Sequence, residues 1–471
     1  MNFIDHENDI ELFTETLFKV AKDNIPLVSP FLGKCSKPWF DDECKKAKNE
    51  RNKAYRRNKR KPTDDNHTNV KYTVAYAKRL FKRKKKESWK NYVSSINSRT
   101  PAKKIWNMIG KITGKNIPSH LLHIKDPSTG KLLTNKIELA DMLGSSFQKN
   151  SSSDNYSEEF RKIKEKEEED EIVFNTRNRH LLYNKIFRLR DLKRSIKKSK
   201  DTSPGPDGIH YKILKNLPDS TLKILLNLIN KHWEFQTFPE LWRGAILLPI
   251  LKPGKDPQDP GNFRPIALTS CICKTVERMV NERLIHYLEK NNLLSKFQAG
   301  FRQQRSTIDQ LVRLDTFIKD AFINQDHVVG VFFDLSKAYD TTWKHGIMKD
   351  SYKLGVRGNL PNFIRNFLTD RTFQILLGAT LTDTFFSQEE GVPLGAILST
   401  TLFNVKLNDI ARVLSDDIEC SLYVDDFVIF FRSRTIEAIE RKLQYNINNI
   451  MSWTTKNGFT ISANKTVCIC K

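Results

Sequence analysis

The stretch CSLYVDDFVIFF, Cys420 to Phe431, places two adjacent acids between two apolar runs. The apolar runs favour strands, and the acids favour a turn between them. The pattern therefore predicts a buried β-hairpin. Taken alone, Asp425 and Asp426 would most often form a solvated polar turn. The alternative is that they hold a positive group, because buried carboxylates are costly unless a cation compensates them.

A second apolar run, Val328 to Phe333, ends in Asp334. By itself this acid could be the N-cap of the following helix. Carboxylates at two strand ends, in a basic chain with glycine-framed loops, instead favour a shared site for a hard cation such as Mg²⁺. Two such ions about 4 Å apart are a common arrangement for in-line attack of a hydroxyl on a phosphate.

The composition favours a polyanionic partner. The chain has 471 residues and a net charge of +24, so nucleic acid is the first candidate and an anionic membrane surface the second. No apolar run reaches the roughly 18 residues of a membrane span, and the N-terminus lacks a signal-peptide pattern. Seven cysteines at irregular spacing indicate reduced thiols in an intracellular protein.

Residues 1–150 are predicted to form a basic helical N-terminal extension. The segment from Lys45 to Lys90 contributes +15 of the net charge. Aromatic residues are interleaved with the basic ones, a composition suited to binding nucleic acid, although the same residues could be the core of a solvated helical hairpin. These aromatic residues are Tyr55, Tyr72, Tyr76, Phe81, Trp89 and Tyr92. The run Lys82 to Lys86 is also a weak nuclear-import signal.

Residues 151–180 are rich in charge and poor in apolar side chains, which predicts a mobile charged linker or an exposed loop. From 181 to 471 apolar strands alternate with helical patterns, so this part is expected to be a mixed α/β or α+β domain with acids at its strand ends.

Several blocks of this domain occur in the order found in one enzyme family. They are SPGPDGI, ILKPGKDP followed by NFRPIAL, LLSKFQAGFRQQRSTIDQL, FFDLSKAYDTTW, EEGVPLGAILS, YVDD and GFTISANKT. The chain thereby resembles the reverse transcriptases of non-LTR (LINE-type) retrotransposons of the jockey-like kind, closely over residues 200–471. The stretch from Lys37, KPWFDDECKKAKNERNKAYRR, resembles the connector that follows the endonuclease in these elements.

The resemblance implies an α+β fold, with the fingers and palm of a right-hand polymerase behind the basic helical extension. Asp334, Asp425 and Asp426 would be catalytic metal ligands for two Mg²⁺ ions, with Mn²⁺ as a substitute. Phe333 would offer its backbone carbonyl to one ion. Tyr339 would be a steric gate that favours dNTPs over NTPs, which argues against an RNA-templated RNA polymerase; an ordinary core tyrosine is the alternative.

Further residues match positions that bind substrate in the family. Lys252 and Arg264 would clamp the triphosphate, and Lys465 would be a general acid for pyrophosphate. The alternatives are that Lys252 is a lysine of a solvated loop and that Lys465 is a strand-edge lysine. Gly391, Pro393 and Gly395 would shape a loop that the template–primer approaches closely. Phe297, Gly300 and Arg302 would support template binding.

The expected function is RNA-directed DNA polymerisation on an RNA template from a DNA primer or nicked target, in the nucleus, with a cytoplasmic ribonucleoprotein as a further location. Other element-encoded proteins are expected partners, and no membrane is. The resemblance also implies that the endonuclease and the thumb lie outside this sequence. The family loop usually has glutamine, serine and proline where Leu394, Ala396 and Thr400 stand, so the alternative is a catalytically impaired nucleic-acid-binding remnant.

Overall fold

The computed structural model describes residues 9–26, 37–97, 100, 105–106, 108–109, 123–126, 129–174 and 181–471. The chain divides into two compact units, one of residues 25–121 and one of Met1–Asn24 with Leu122–Lys471. Within the described residues, no helix combines the length and the apolar character that crossing a membrane requires.

The smaller unit is built on two basic helices, α2 (Asp42–Arg60) and α3 (Asp64–Ser94). The side chain of Asp41 caps α2 by accepting from the Cys44 N–H, and Thr63 caps α3 from the Asn66 N–H. Small residues such as Ala47 and Ala77 lie in the core between the helices. The helices can therefore approach closely while their charged faces remain in water.

Most of the interleaved aromatic side chains lie outside this core. Phe81 packs against it, whereas Tyr55, Tyr72, Tyr76 and Trp89 are 51%, 70%, 46% and 38% exposed. Of the two interpretations of the basic segment, a hairpin with an aromatic core therefore holds for Phe81 but not for these four residues.

The larger unit contains the helix preceding the basic segment and all of the described strands. Its helices are α1 (Asp9–Asn24), α4 (Lys136–Asn150), α5 (Glu158–Glu168), α6 (Leu189–Lys198), α7 (Tyr211–Lys215), α8 (Asp219–Phe235), α9 (Cys271–Lys290), α10 (Thr307–Ile323), α11 (Lys344–Lys353), α12 (Asn359–Leu368), α13 (Ile397–Leu407) and α14 (Ile436–Asn457). Its strands are β1 (Ile124–Lys125), β2 (Leu132–Leu133), β3 (Gly244–Leu251), β4 (Phe263–Leu268), β5 (His327–Phe333), β6 (Arg371–Leu377), β7 (Thr380–Leu381), β8 (Phe386–Gln388), β9 (Glu419–Tyr423), β10 (Asp426–Ser433) and β11 (Val467–Cys470).

One sheet has the antiparallel order β11-β5-β10-β9. The helices α13 and α14 cover one of its faces, and side chains such as Phe403 and Ile450 share a core with Val331 and Ile429 of the strands. Alternate residues of an antiparallel strand point to opposite faces, so the apolar runs found in the sequence fill this core.

The second sheet has the order β4-β3-β6-β7, with β8 paired to β6. The helix α4 packs on it, with Leu143 and Phe147 in a core that includes Phe373 and Ile375. A third core joins α6, α8, α9 and α12. The expected α+β class is confirmed.

The segment predicted as a mobile charged linker differs from that expectation. Residues 158–168 form α5, and Phe160 is 1% exposed in a cluster with Tyr156 and Trp343. The Tyr156 hydroxyl donates to the Thr341 carbonyl at 2.9 Å. A few aromatic residues thus help to dock an otherwise charged helix. Residues 175–180 lie outside the described residues, and the predicted domain bounds at 150 and 180 stay a prediction.

Candidate active site

The acids of the opening stretch lie at the tip of the predicted hairpin. Pairing of Asp426 with Tyr423 closes a two-residue turn, Val424 and Asp425, between β9 and β10. Because β10 also pairs with β5 at Phe427 and Phe333, the residue after β5 lies beside the tip. The sheet therefore brings together the strand ends that carry the three predicted metal ligands.

The carboxylates at this end of the sheet are electrostatically crowded. Burial raises the pKa of Asp425, and the negative charges of Asp426 and Asp334 raise it further, while the nearby Lys465 opposes them. The Lys465 ammonium lies 3.0 Å from Asp334 Oδ2. The backbone carbonyl of Asp334 accepts from the Ser462 N–H at 2.8 Å, so the segment before β11 holds both members of this ion pair in place.

The donor atoms at the tip are carboxylate oxygens, the ligand type that suits a hard cation such as Mg²⁺. A divalent cation would also relieve the repulsion that Asp426 and Asp334 add to the effect of burial on the pKa of Asp425. In the described parts of the chain, however, no group of three or more His, Cys, Asp or Glu side chains lies close enough to hold an ion. Instead, the Lys465 ammonium forms an ion pair with the Asp334 carboxylate.

Lys252 and Arg264 are two further cations, and Lys252 lies within electrostatic range of Lys465. Lys252 follows β3, and Arg264 lies in β4, paired with Ile250 of β3. Burial lowers the pKa of Lys252, and the positive charges of Arg264 and Lys465 lower it further. The Lys252 ammonium donates to the Gly261 carbonyl at 3.0 Å. Three residues singled out from the sequence therefore form one positive group within electrostatic range of each other.

Tyr339 is half-buried beside the acids. Its ring stacks on Phe403 with centroids 4.3 Å apart. Burial raises the pKa of its hydroxyl, and the charge of Asp425 adds to this effect. The ring is thus fixed near the acidic tip, and its action as a steric gate stays a prediction.

The glycines of the loop from Gly391 to Gly395 are needed by the protein itself. A Cβ on Gly391 would lie 2.5 Å from the Asp340 carbonyl oxygen, and one on Gly395 would lie 2.8 Å from that of Ala267. Both have positive φ, 82° and 85°. Pro393 is buried, and its carbonyl accepts from the Ser399 hydroxyl at 2.7 Å. Contact of this loop with a template–primer stays a prediction.

The first N–H groups of the helix after this loop, α13, donate to a buried acid of another helix. Glu277 of α9 is fully buried, and one of its oxygens accepts from the Ile397 N–H at 2.6 Å and the Leu398 N–H at 3.3 Å. A carboxylate at a helix N-terminus is stabilised by the unpaired N–H groups and the helix dipole. The contact fixes where α13 starts.

Leu394 lies at a cavity of about 40 Å³ with Pro265, Pro393 and Asp340 in its wall. Burial raises the pKa of Asp340 to about 6, against the lowering effect of Lys337 and Lys252. The leucine offers this carboxyl no hydrogen bond. Asp340, which follows the predicted gate, is a residue that the motif comparison passed over.

The FQAGFR block, Phe297 to Arg302, packs beside the β9–β10 hairpin. Arg302 donates from Nε and Nη2 to Glu289 at 2.7 and 2.6 Å, and from Nη1 to the carbonyls of Ser295 and Gln298. The guanidinium is thus engaged within the protein, and the expected support of template binding by this block stays a prediction. Phe297 is half-buried, with the Arg313 guanidinium over its ring.

Gln298 is the main residue that the sequence interpretation missed. It is 2% exposed, and its amide hydrogen-bonds the backbone of Val424. The block itself was noted in the sequence, but nothing local marks this glutamine as a partner of the turn.

Comparison with known proteins gives matches over this C-terminal part. Residues 250–471 match the family described as reverse transcriptase (RNA-dependent DNA polymerase). The RNA-directed DNA polymerase from mobile element jockey of Drosophila melanogaster is 29% identical over 56% of this chain and 29% of its own length. The probable RNA-directed DNA polymerase from transposon BS of the same species is 30% identical over 57% of this chain and 30% of its own length.

These matches confirm the resemblance drawn from the motif blocks, while the chain spans less than a third of the length of these relatives. Among solved structures, apo telomerase from Candida tropicalis covers 49% of this chain and 50% of its own, at 15% identity and a TM-score of 0.37. That similarity is too weak to bear on function.

Proposed function

We propose that this chain, in which residues 250–471 are a reverse transcriptase domain similar to those of jockey-like non-LTR elements, catalyses RNA-templated DNA synthesis. One observation carries the proposal. Carboxylates meet at one end of the β5–β10–β9 sheet, where burial raises the pKa of Asp425 and the charges of Asp426 and Asp334 raise it further. Lys465 pairs with Asp334 at the same end, and Lys252 lies within electrostatic range of Lys465 and Arg264.

The acids would act as ligands for two Mg²⁺ ions, or Mn²⁺ in their place. Asp425 and Asp334 would be the principal ligands, Asp426 the third acid, and the Phe333 carbonyl a further oxygen. Bound metal would activate the primer 3′-hydroxyl and neutralise charge on the leaving pyrophosphate. The role of the protein itself would be to hold the carboxylates in place at the tip of the β9–β10 hairpin.

The cations would bind the nucleotide. Lys252 and Arg264 would contact the triphosphate, for which a guanidinium suits two oxygens at once. Lys465 would donate a proton to the leaving group. Tyr339, fixed by stacking on Phe403, would exclude the 2′-hydroxyl and so select dNTPs.

The basic hairpin would bind the RNA template or the DNA primer and target. Tyr72, Tyr76, Arg79 and Arg83 recur at helical spacing along α3, so they share one face. Both tyrosines are exposed. Exposed rings among cations suit stacking on unpaired bases. A polymerase of this kind would work in the nucleus, with a ribonucleoprotein stage in the cytoplasm and other element-encoded proteins as partners.

The test is primer extension on poly(rA)/oligo(dT) with dTTP and Mg²⁺ or Mn²⁺. Wild type should extend the primer, and Asp425→Ala should abolish extension. Asp383→Ala, which removes an exposed acid from the loop between β7 and β8, is the matched control and should behave as wild type. Extension that survives Asp425→Ala would refute the metal-ligand role.

A second candidate is a catalytically impaired nucleic-acid-binding remnant, and Leu394 is the observation that favours it. The family glutamine at this position would offer an amide, whereas Leu394 leaves the Asp340 side of its cavity without one. If wild type binds RNA but extends no primer, and Leu394→Gln restores extension, this second candidate is the correct one.

A further inference from the structure

The amide of Gln298 binds both polar groups of one residue in the acidic turn. Its Oε1 accepts from the Val424 N–H at 3.0 Å, and its Nε2 donates to the Val424 carbonyl at 3.3 Å. Oε1 also accepts from the Gly300 N–H at 2.8 Å. The Val424 carbonyl belongs to the peptide group that carries the Asp425 N–H, so Gln298 fixes the orientation of that peptide.

The turn needs such support because Val424 has an unfavourable backbone conformation. Its φ is 63°, a region in which a β-branched residue is a steric outlier. Conformations of this kind persist only when the surroundings hold them. Gln298 supplies hydrogen bonds on both sides of the strained residue, and its own main chain runs alongside β9, bridged to Leu422.

The block around Gln298 is itself anchored from two directions. The Gln298 carbonyl accepts from Arg302 at 3.1 Å, and Arg302 forms an ion pair with Glu289 of α9. The Gly300 carbonyl accepts from Asn404 of α13 at 2.8 Å. A Cβ on Gly300 would lie 2.5 Å from Val424 Cγ2, so only glycine allows this approach. The segment that carries the glutamine is therefore anchored to both α9 and α13.

We propose that Gln298 is a positioning residue, which holds the strained Val424 turn so that the Asp425 carboxylate keeps the orientation needed to bind a divalent cation. This inference rests on the proposed polymerase function for its catalytic consequence. The alternative is a buried glutamine that merely satisfies its own hydrogen bonds, in which case its loss would lower stability without changing the properties of the acidic tip.

The full chain should be compared with Gln298→Met, which keeps the side-chain length but removes the amide. We expect kcat for primer extension to fall about tenfold, since leaving buried polar groups unpaired commonly costs that much. The KM for primer–template should not change, because Gln298 does not reach the surface. Mn²⁺ binding, followed by electron paramagnetic resonance, should weaken, and amide hydrogens of residues 420–428 should exchange faster.

Three further variants separate positioning from general destabilisation. Gln298→Glu keeps the accepting oxygens and should lie between Gln298→Met and wild type. Adding Val424→Gly to Gln298→Met should recover part of the lost kcat, because glycine adopts a positive φ without strain; a purely destabilised protein would lose more. Gln310→Met is the matched control, because Gln310 accepts from the Ser421 hydroxyl of β9 rather than binding the turn.

The outcomes distinguish the two proposals. If wild type extends primers and Gln298→Met matches it in kcat and Mn²⁺ binding, the positioning role is refuted and the polymerase function stands. If wild type does not extend primers, the polymerase function is refuted. Mn²⁺ binding and exchange at the turn then decide the positioning role, which fails if both are unchanged in Gln298→Met. Exchange within α14 in the same samples reports whether the variant is folded.

Discussion

Replacing Lys465 by alanine should change metal binding and catalysis in opposite directions. In the structure the Lys465 ammonium lies 3.0 Å from Asp334 Oδ2, so it occupies an oxygen that is proposed to bind a cation. Removing the ammonium frees that oxygen. Metal binding should therefore tighten, while the proposed proton donor for pyrophosphate is lost.

The two effects differ in size. The side chains are 67% and 37% exposed, and ion pairs exposed to solvent contribute about 0–1 kcal/mol. Competition by Lys465 therefore weakens metal binding about fivefold at most. Loss of a general acid typically slows a reaction about 10²- to 10⁴-fold. The slower chemistry should thus exceed any gain from tighter metal binding.

The assay measures Mn²⁺ affinity by electron paramagnetic resonance and single-nucleotide extension at saturating Mn²⁺. Lys442→Ala is the control, because it removes another lysine–aspartate pair at the protein surface, with 2.7 Å between the Lys442 ammonium and Asp417 and with side chains 32% and 52% exposed. Neither residue of this pair is a predicted site residue. An Mn²⁺ affinity that is unchanged or weaker in Lys465→Ala would refute the competition. An unchanged extension rate would refute the role as proton donor.

Other changes test the rest of the site and the basic hairpin. Leu394→Gln should raise the rate of primer extension, by up to about a hundredfold, if the missing amide limits polymerisation; an unchanged rate would show that it does not. Because burial raises the pKa of Asp340 from 3.8 to about 6, its protonated form favours folding at low pH, and this contribution is lost as the pH rises through about 6. The free energy of unfolding of Asp340→Asn should therefore exceed that of wild type at pH 8, by about 3 kcal/mol as an upper bound, and should equal it near pH 3.5. Urea unfolding at the two pH values measures this difference. Equal stability at pH 8 would contradict the burial argument. Lys82→Glu with Lys86→Glu should weaken RNA binding and flatten its dependence on salt, and a wild-type slope would mean that these lysines do not contact phosphate.

The features that could be predicted from the sequence are those encoded over short distances. The alternation around Asp425 and the apolar run before Asp334 each specify a strand and its end, and sheet pairing then brings the two ends together. The glycine positions in the loop from Gly391 to Gly395 were also predicted as sites of close approach. Their nearest neighbour in the structure is the protein's own backbone, which a motif comparison does not reveal.

The features that were missed depend on contacts between residues far apart in the chain. Gln298 and Val424 meet only because the segment before α10 runs beside β9. Residues 158–168 have the composition of a solvated linker, but burial of Phe160 against Trp343, together with ion pairs such as that of Lys164 with the buried Glu390, docks them as a helix. The high charge density of this segment predicted mobility. Composition alone does not show that one aromatic side chain packs against a residue far away in the sequence.

The buried Glu277 has a consequence for how nucleotides are recognised. The free N–H groups at the start of a helix commonly bind phosphate, and α13 begins directly after the loop from Gly391 to Gly395. Two of those groups, on Ile397 and Leu398, are already bonded to Glu277. These two N–H groups are therefore not available to a phosphate. Triphosphate binding would depend on cationic side chains such as Lys252 and Arg264 rather than on the backbone at the start of α13, so nucleotide affinity should fall as the salt concentration rises.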